Sequence, residues 1–206
     1  MKRVLVFTLA CMLMVPGFAN FKKDLRKAKK GDAQAQYNVA LCYEKGEGVE
    51  QDHTQAAHWY TKAAEQGYAK AQFNLGYMYS NGRGVTQDYY EAVKWYRLAA
   101  EQGEFFAAHN LATCYRMGYG VEQNHEEAFK WELLAAEEGN DEAQYNVGNA
   151  YKRGEVVEQD YEEAVKWWRL AAEQGNADAQ LFLGVAYKNG CGVEKDVEEA
   201  VAQIEE

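Results

Sequence analysis

The chain has 206 residues, 48% of them hydrophobic and 14% aromatic, with a single proline, Pro16. So little proline beside abundant Ala, Glu, Gln and Lys favours helix throughout. A formal net charge of -10 repels phosphate and anionic headgroups, which excludes nucleic acid and acidic lipid as partners.

The first segment, Met1 to Ala19, starts with Lys2 and Arg3, continues through the apolar run Val4 to Val15 and ends in Gly17-Phe18-Ala19. Charged start, short apolar centre and small residues at the end describe a secretory signal peptide cut after Ala19, too short for a membrane span. The expectation is an exported, periplasmic or secreted protein whose mature chain does not insert into a membrane. A lipoprotein reading around Cys11 is weaker, because Thr8-Leu9-Ala10 places the leucine one position late. Residues 20–32 follow as an N-terminal capping helix, with Ala28 and Gly31 aligning with Ala64 and Gly67. Its Lys22, Lys23, Arg26, Lys27, Lys29 and Lys30 suit the polar outer face of a terminal unit. A basic tether to an acidic partner is the other reading.

From residue 33 onward the chain repeats every 36 residues without insertion, in copies 33–68, 69–104, 105–140, 141–176 and a partial 177–206. In the copy starting at Ala69, a first helix A is expected from Ala69 to Asn81. Ala71, Leu75 and Tyr79 form its apolar stripe at i, i+4, i+8. Gly82 stops it, and Gly84 and Val85 shape the loop. Asp88 followed by Glu91 reads as a capping box. A second helix B is expected from Tyr89 to Gln102, with Ala92, Trp95 or Tyr96, Ala99 and Ala100 facing inward and Gly103 ending it. Trp59, Trp95, Trp131 and Trp167 hold one position and are expected to anchor the seams between copies. Tyr43, Tyr79, Tyr115, Tyr151 and Tyr187 likewise recur, and their shared stripe with Ala and Leu assigns them to packing. Cys42 and Cys114 occupy one position two copies apart, too distant for a disulfide, and read as small buried fillers.

Positions that never change hold the array together; exposed ones that vary are free to specialise. Opposite the constant stripe of helix A lies a variable row. It contains Tyr37, Phe73, His109, Tyr145 and Leu181, then Leu41, Tyr77, Thr113, Asn149 and Val185, then Glu44, Ser80, Arg116, Lys152 and Lys188. Aromatics at one edge and later basic residues at the other suit a peptide groove, whereas partial burial in an inner wall is the bland alternative. The candidate partner-binding residues are Tyr37, Phe73, Tyr77, His109, Arg116, Tyr145, Asn149 and Lys152. Asn38, Asn74, Asn110 and Asn146 share a further position, which suits either a ligand backbone or a bond between neighbouring repeats. The four histidines scatter, no His/Cys cluster has zinc spacing, and no nucleophile–base set is placed together. No catalytic residue, metal or cofactor is therefore expected, and the chain is not read as an enzyme.

The unit resembles the Sel-1-like repeat family, helix-turn-helix solenoids related to tetratricopeptide repeats. The resemblance rests on Ala71, Leu75, Gly76 and Tyr79, on Gly82-x-Gly84-Val85, on Asp88 and Ala92, and on Ala99-Ala100-Glu101-Gln102-Gly103. It implies an all-α, right-handed superhelical solenoid with helix A on the concave side. It also implies a scaffold or adaptor that holds a protein or peptide partner, in the bacterial envelope if export is correct. A periplasmic immunity or inhibitor protein that neutralises a toxin or envelope enzyme is the alternative. Activity on a cell-wall or β-lactam compound would need a polar nucleophile in the groove, and none is found. The sequence leaves the oligomeric state and the identity of the partner open.

Overall fold

The computed structural model describes residues 18–205. Most of the expected signal peptide, with Cys11, lies outside the described residues. Eleven α-helices and no strand occur among them. The chain divides into two compact units, the second beginning at Phe105. The first unit holds α1 (Phe18–Ala28), α2 (Ala33–Lys45), α3 (His53–Ala64), α4 (Ala69–Asn81) and α5 (Tyr89–Ala100). In the second lie α6 (Phe105–Met117), α7 (His125–Glu137), α8 (Asp141–Arg153), α9 (Tyr161–Glu173), α10 (Ala177–Asn189) and α11 (Val197–Glu205). Within each unit the even-numbered helices from α2 onward are the A helices, each packed on the B helix that follows it.

Helix α1 caps the first unit. Its Phe21 is buried and meets Tyr43 of α2 edge-on at 5.5 Å between ring centroids. Lys22, Lys23, Arg26, Lys27, Lys29 and Lys30 are all exposed, as the polar outer face of a terminal element requires.

A constant alanine and a Leu or Val one turn on build the core. Ala71 and Leu75 of α4 are fully buried, as are Ala143 and Val147 of α8 and Ala179 and, to 1%, Leu183 of α10. Alanine at the first of these positions keeps the helices close. The tryptophan row is less uniform than its constancy suggests. Trp59 and Trp95 are 8% and 9% exposed, whereas Trp131 and Trp167 are only half-buried. The next residue goes deeper: Tyr60, Tyr96 and Trp168 are 0%, 2% and 3% exposed. The side chain after the tryptophan is thus the main plug of each pair, and Trp59 and Trp95 lie on the flank beneath Lys62 and Lys94.

Two details of the connections differ from expectation. Helix B is shorter, α5 ending at Ala100, because Gln102 N–H and Gly103 N–H turn back to the carbonyls of Ala99 and Ala100. The capping box is only half made. Asp88 Oδ1 accepts from the amides of Tyr90 and Glu91, but Asp88 N–H donates to the Tyr79 carbonyl at 3.0 Å, so no donor is left for Glu91. That carboxylate pairs with Lys94 one turn on. The same backbone bond recurs from Asp52, Asn124, Asp160 and Asp196 to Tyr43, Tyr115, Tyr151 and Tyr187. Each A–B loop is therefore tied shut at both ends, by this bond and by the glycine that stops helix A in the left-handed region, such as Gly82 at φ +66°.

Neighbouring pairs are also tied by glutamines that the sequence reading passed over. Gln36, Gln72 and Gln144 are buried, and each donates to a carbonyl eight residues back, in Ala28, Ala64 and Ala136. Their side-chain oxygens accept from Gln66, Gln102 and Gln174, thirty residues on. The third copy has Ala108 and Glu138 at these two positions, so donor and acceptor are absent together.

Candidate binding site

The variable row of helix A is only partly open. Tyr37 packs its ring at 5.8 Å from Tyr60 and 5.1 Å from Tyr68, and Phe73 lies 6.2 Å from Tyr96. In the second unit Tyr145 meets Phe182 at 5.6 Å, and the Lys152 ammonium sits 4.3 Å over the same Phe182 ring. These four candidates are half-buried wall. Tyr77 is 42% exposed, and Leu181 and Val185 are 48% and 45% exposed. The asparagines hold neighbouring elements: Asn38 donates to Asp24 Oδ2 at 3.3 Å, Asn146 to Glu132 Oε1 at 2.6 Å, and Asn74 bonds to Tyr37 and Tyr60.

The last position of the row is coupled to the core plug of the same repeat, sixteen residues on. Tyr60 donates to Glu44 Oε2 at 2.6 Å, and Tyr96 shares a hydrogen bond with Ser80 at 3.0 Å. In the third repeat the polarity is reversed: Glu132 takes the plug position and Arg116 faces it, Nη1 standing 3.5 Å from Oε2. In the fourth, Lys152 lies 6.0 Å from the Trp168 ring. The plug and its partner therefore change together.

Glu132 lies on α7, its side chain 4% exposed. A carboxylate in such a place needs charge and hydrogen bonds around it. His109 Nδ1–H donates to its Oε1 at 3.0 Å, and Asn146 donates to the same oxygen. The other imidazole nitrogen is 3.2 Å from Glu142 Oε2. Burial opposes protonation of His109, but the bond to Glu132 and the charges of Glu132 and Glu142 outweigh it, and the imidazole is raised above its ordinary value. Oε2 of Glu132 is buried and accepts no hydrogen bond; the charge of Arg116, itself bonded to Thr113 Oγ1 at 3.0 Å, is what faces it.

Beside this cluster, wholly within the second unit, is a cavity of about 660 Å³ between α6, α7, α8 and the loop after α8. Ala128, Phe129, Ala150 and Val156 supply apolar walls, and Arg116, Glu132, Asn149 and Arg153 are among the polar ones. Val156 explains much of the opening. At the equivalent point the other loops have Gly48, Gly84, Gly120 and Gly192, all with positive φ. A Cβ on Gly84 would lie 2.1 Å from the His53 carbonyl oxygen, and one on Gly192 would lie 2.1 Å from that of Tyr161. The loops of Gly84 and Gly192 press on the first residue of the preceding helix B. Val156 has a Cβ and no positive φ, so its loop cannot make that approach to His125, and both residues line the cavity. Of the eight expected binding residues, Arg116, Tyr145 and Asn149 border this space, and His109 stands behind it holding Glu132.

Tandem helix pairs with a constant inner stripe, a glycine-stopped helix A and a varying outer row define an α-helical repeat scaffold. The chain belongs to the Sel1 repeat family, which matches residues 33–68, 69–104, 106–140, 141–176 and 177–202. It is similar to a protective antigen of uropathogenic Escherichia coli displaying an SLR fold, at 39% identity and TM-score 0.85, covering 88% of this chain. The chain spans only 40% of that antigen's length. A Sel1 repeat protein from Oxalobacter formigenes is 40% identical with TM-score 0.80, over 84% of this chain and 72% of that one. An immunity protein from Pseudomonas aeruginosa shares the fold at 22% identity and TM-score 0.52, over 92% of this chain and 68% of its own. No curated protein matches the chain. Cys42, Cys114 and Cys191 are free thiols, and burial pushes Cys114 up to about 11. Among the described residues no helix is long and apolar enough to cross a membrane, and no group of three or more His, Cys, Asp or Glu side chains could hold a metal ion.

Proposed function

We propose that this chain is a non-catalytic binding scaffold of the bacterial envelope that holds a protein or peptide partner on its helix A face. The observation that carries the reading is the split on each A helix. Ala71 and Leu75 of the apolar stripe are fully buried, while the varying position is open to solvent at Tyr77 in the first unit and at Val185 in the second, where Asn149 at the same position lines the cavity. Tyrosine and asparagine are side chains a partner uses well, the first for area at small entropic cost and the second for adaptable hydrogen bonds. The placement in the envelope rests on the leader pattern of residues 1–19.

The test is affinity capture from envelope extracts with the mature chain and with a Tyr77→Ala/Asn149→Ala variant. Both substituted side chains lie outside the core, so helicity and melting should stay as in the parent while capture is lost. Unchanged capture sinks the helix A assignment. A second reading, an immunity or inhibitor protein, is favoured by the net charge of -10. It calls for a basic toxin or enzyme as the captured partner and for capture that collapses at high salt.

A further inference from the structure

We propose that the cavity of the third and fourth repeats is a binding site for a carboxylate group, held by Arg116 and Arg153 with Asn149 beside them, and that Glu132 is the residue that positions Arg116. The cavity sits where the third and fourth repeats depart from the others. It coincides with two substitutions found in no other copy: Glu132, where Tyr60, Tyr96 and Trp168 plug the core, and Val156, where glycine lets the loop close. A third, His109, supplies the proton that makes the first tolerable.

A buried carboxylate costs stability wherever packing alone is required, since an aromatic serves in the sister repeats. What it does here is hold an arginine. Oε1 of Glu132 is occupied by His109 and Asn146, which leaves Oε2 to face Arg116 Nη1 at 3.5 Å while Nη2 reaches Thr113. Arg116 is thus fixed on the cavity wall from behind, yet its side chain is still 38% exposed. A guanidinium has five N–H donors, so several remain unspent. Arg153, one turn beyond Asn149 on α8, lines the same space and is exposed, and its guanidinium has no ion-pair or hydrogen-bond partner among the described residues. Glu132, which already faces Arg116, and Glu155 are the competing anions among the lining residues.

Two guanidiniums lining one cavity favour a planar anion that can take paired N–H donors, and a carboxylate has that shape. A polyanion would be repelled by the net charge of -10. Ala128, Phe129, Ala150 and Val156 give the remainder of the ligand an apolar bed, and about 660 Å³ is a volume in which small ligands or a chain end are held. The carboxylate can come from a peptide terminus or from a free small acid. The first deepens the partner-binding reading above and rests on it; the cavity itself is tested without any partner.

The probes are N-acetyl-tetra-alanine as the free acid, the same peptide as its C-terminal amide, and butyrate. Each is titrated into the full mature chain while backbone amides are followed by NMR. The acid should give saturable shifts confined to residues 113–132 and 145–156, with the amide roughly tenfold weaker or worse. Arg116→Met and Arg153→Met should each weaken the acid by a similar factor; the second touches no partner and guards against a folding defect in the first. Glu132→Gln should shrink the acid-to-amide ratio, which a merely structural role would leave unchanged. Val156→Gly should weaken both probes by letting the loop close. No saturable shift with either acid, equal response to acid and amide, or unaltered affinity in Arg153→Met overturns the proposal. Butyrate binding as tightly as the peptide assigns the free acid as the source, and weaker butyrate binding assigns the chain end. A failed titration with partner capture intact removes the cavity only; lost capture in the Tyr77 variant with the titration intact removes the helix A reading only.

Discussion

Glu132 changes the chemistry of one repeat through a single side chain. With its partner on α6 it replaces the ring pair Phe73–Tyr96 of the second copy by an imidazole–carboxylate pair. Removing one member of such a pair strands the other. Glu132→Ala should cost about 3–5 kcal/mol in chemical denaturation, whereas the double change His109→Phe/Glu132→Tyr should be neutral or stabilising by about 1–4 kcal/mol. A double variant as unstable as the single one would show that the site cannot take the rings of its sister repeat. The pH dependence follows from the raised His109. A group with a raised folded value contributes stability that is fully present below its unfolded value of about 6.5 and is lost as pH rises through the folded value. The urea midpoint should therefore fall on the alkaline side of that value in the parent and much less in His109→Phe.

At the scale of the element, the helix–loop–helix unit explains what the sequence could and could not reveal. Helix A from Ala69 to Asn81 was legible because its stripe and its glycine stop are local signals. Helix B ended early because the last residues before Gly103 are used by the turn, and periodicity does not see a turn. The capping motif was read correctly as a cap but not as a half-made one, since the competing acceptor, Tyr79, is nine residues away. In the sequence the second loop glycine is read only as shaping the loop, whereas its more severe constraint is contact with another helix. Gly84→Ala should accordingly cost more than the roughly 1–3 kcal/mol of a strained backbone conformation, because the new Cβ also meets the His53 carbonyl. A melting temperature equal to that of the parent would deny the contact. Of the site, the row on helix A was visible as variation between copies. Glu132 was not singled out because one more acidic residue on a B helix looks like a solvated one. Aligning it with Tyr60, Tyr96 and Trp168 is the signal that would have found it.

For the whole molecule, contacts between neighbouring pairs are the units of stability. The first unit has two complete glutamine ties, one from the capping helix α1 to α2 and one from α3 to α4, while the second has one, from α7 to α8, and begins with the copy in which Ala108 and Glu138 replace the glutamines. Local opening should follow that difference. Amide hydrogen exchange in Glu132→Ala should quicken across α6, α7 and α8 and leave α2 to α5 close to the parent; uniform acceleration would mean that the chain opens as one cooperative body.

The clasped loop between each A and B helix has a practical consequence. Because its two ends are fastened by backbone, the residue between the glycine positions carries little of the architecture, and Glu47, Arg83, Tyr119, Glu155 and Cys191 can all stand there. In the last repeat that residue is an exposed thiol, while the buried Cys114 thiol is pushed up to about 11. Nature has thus left a conjugation handle: a dye, a spin label or a surface tether placed on Cys191 would report on the scaffold without entering it.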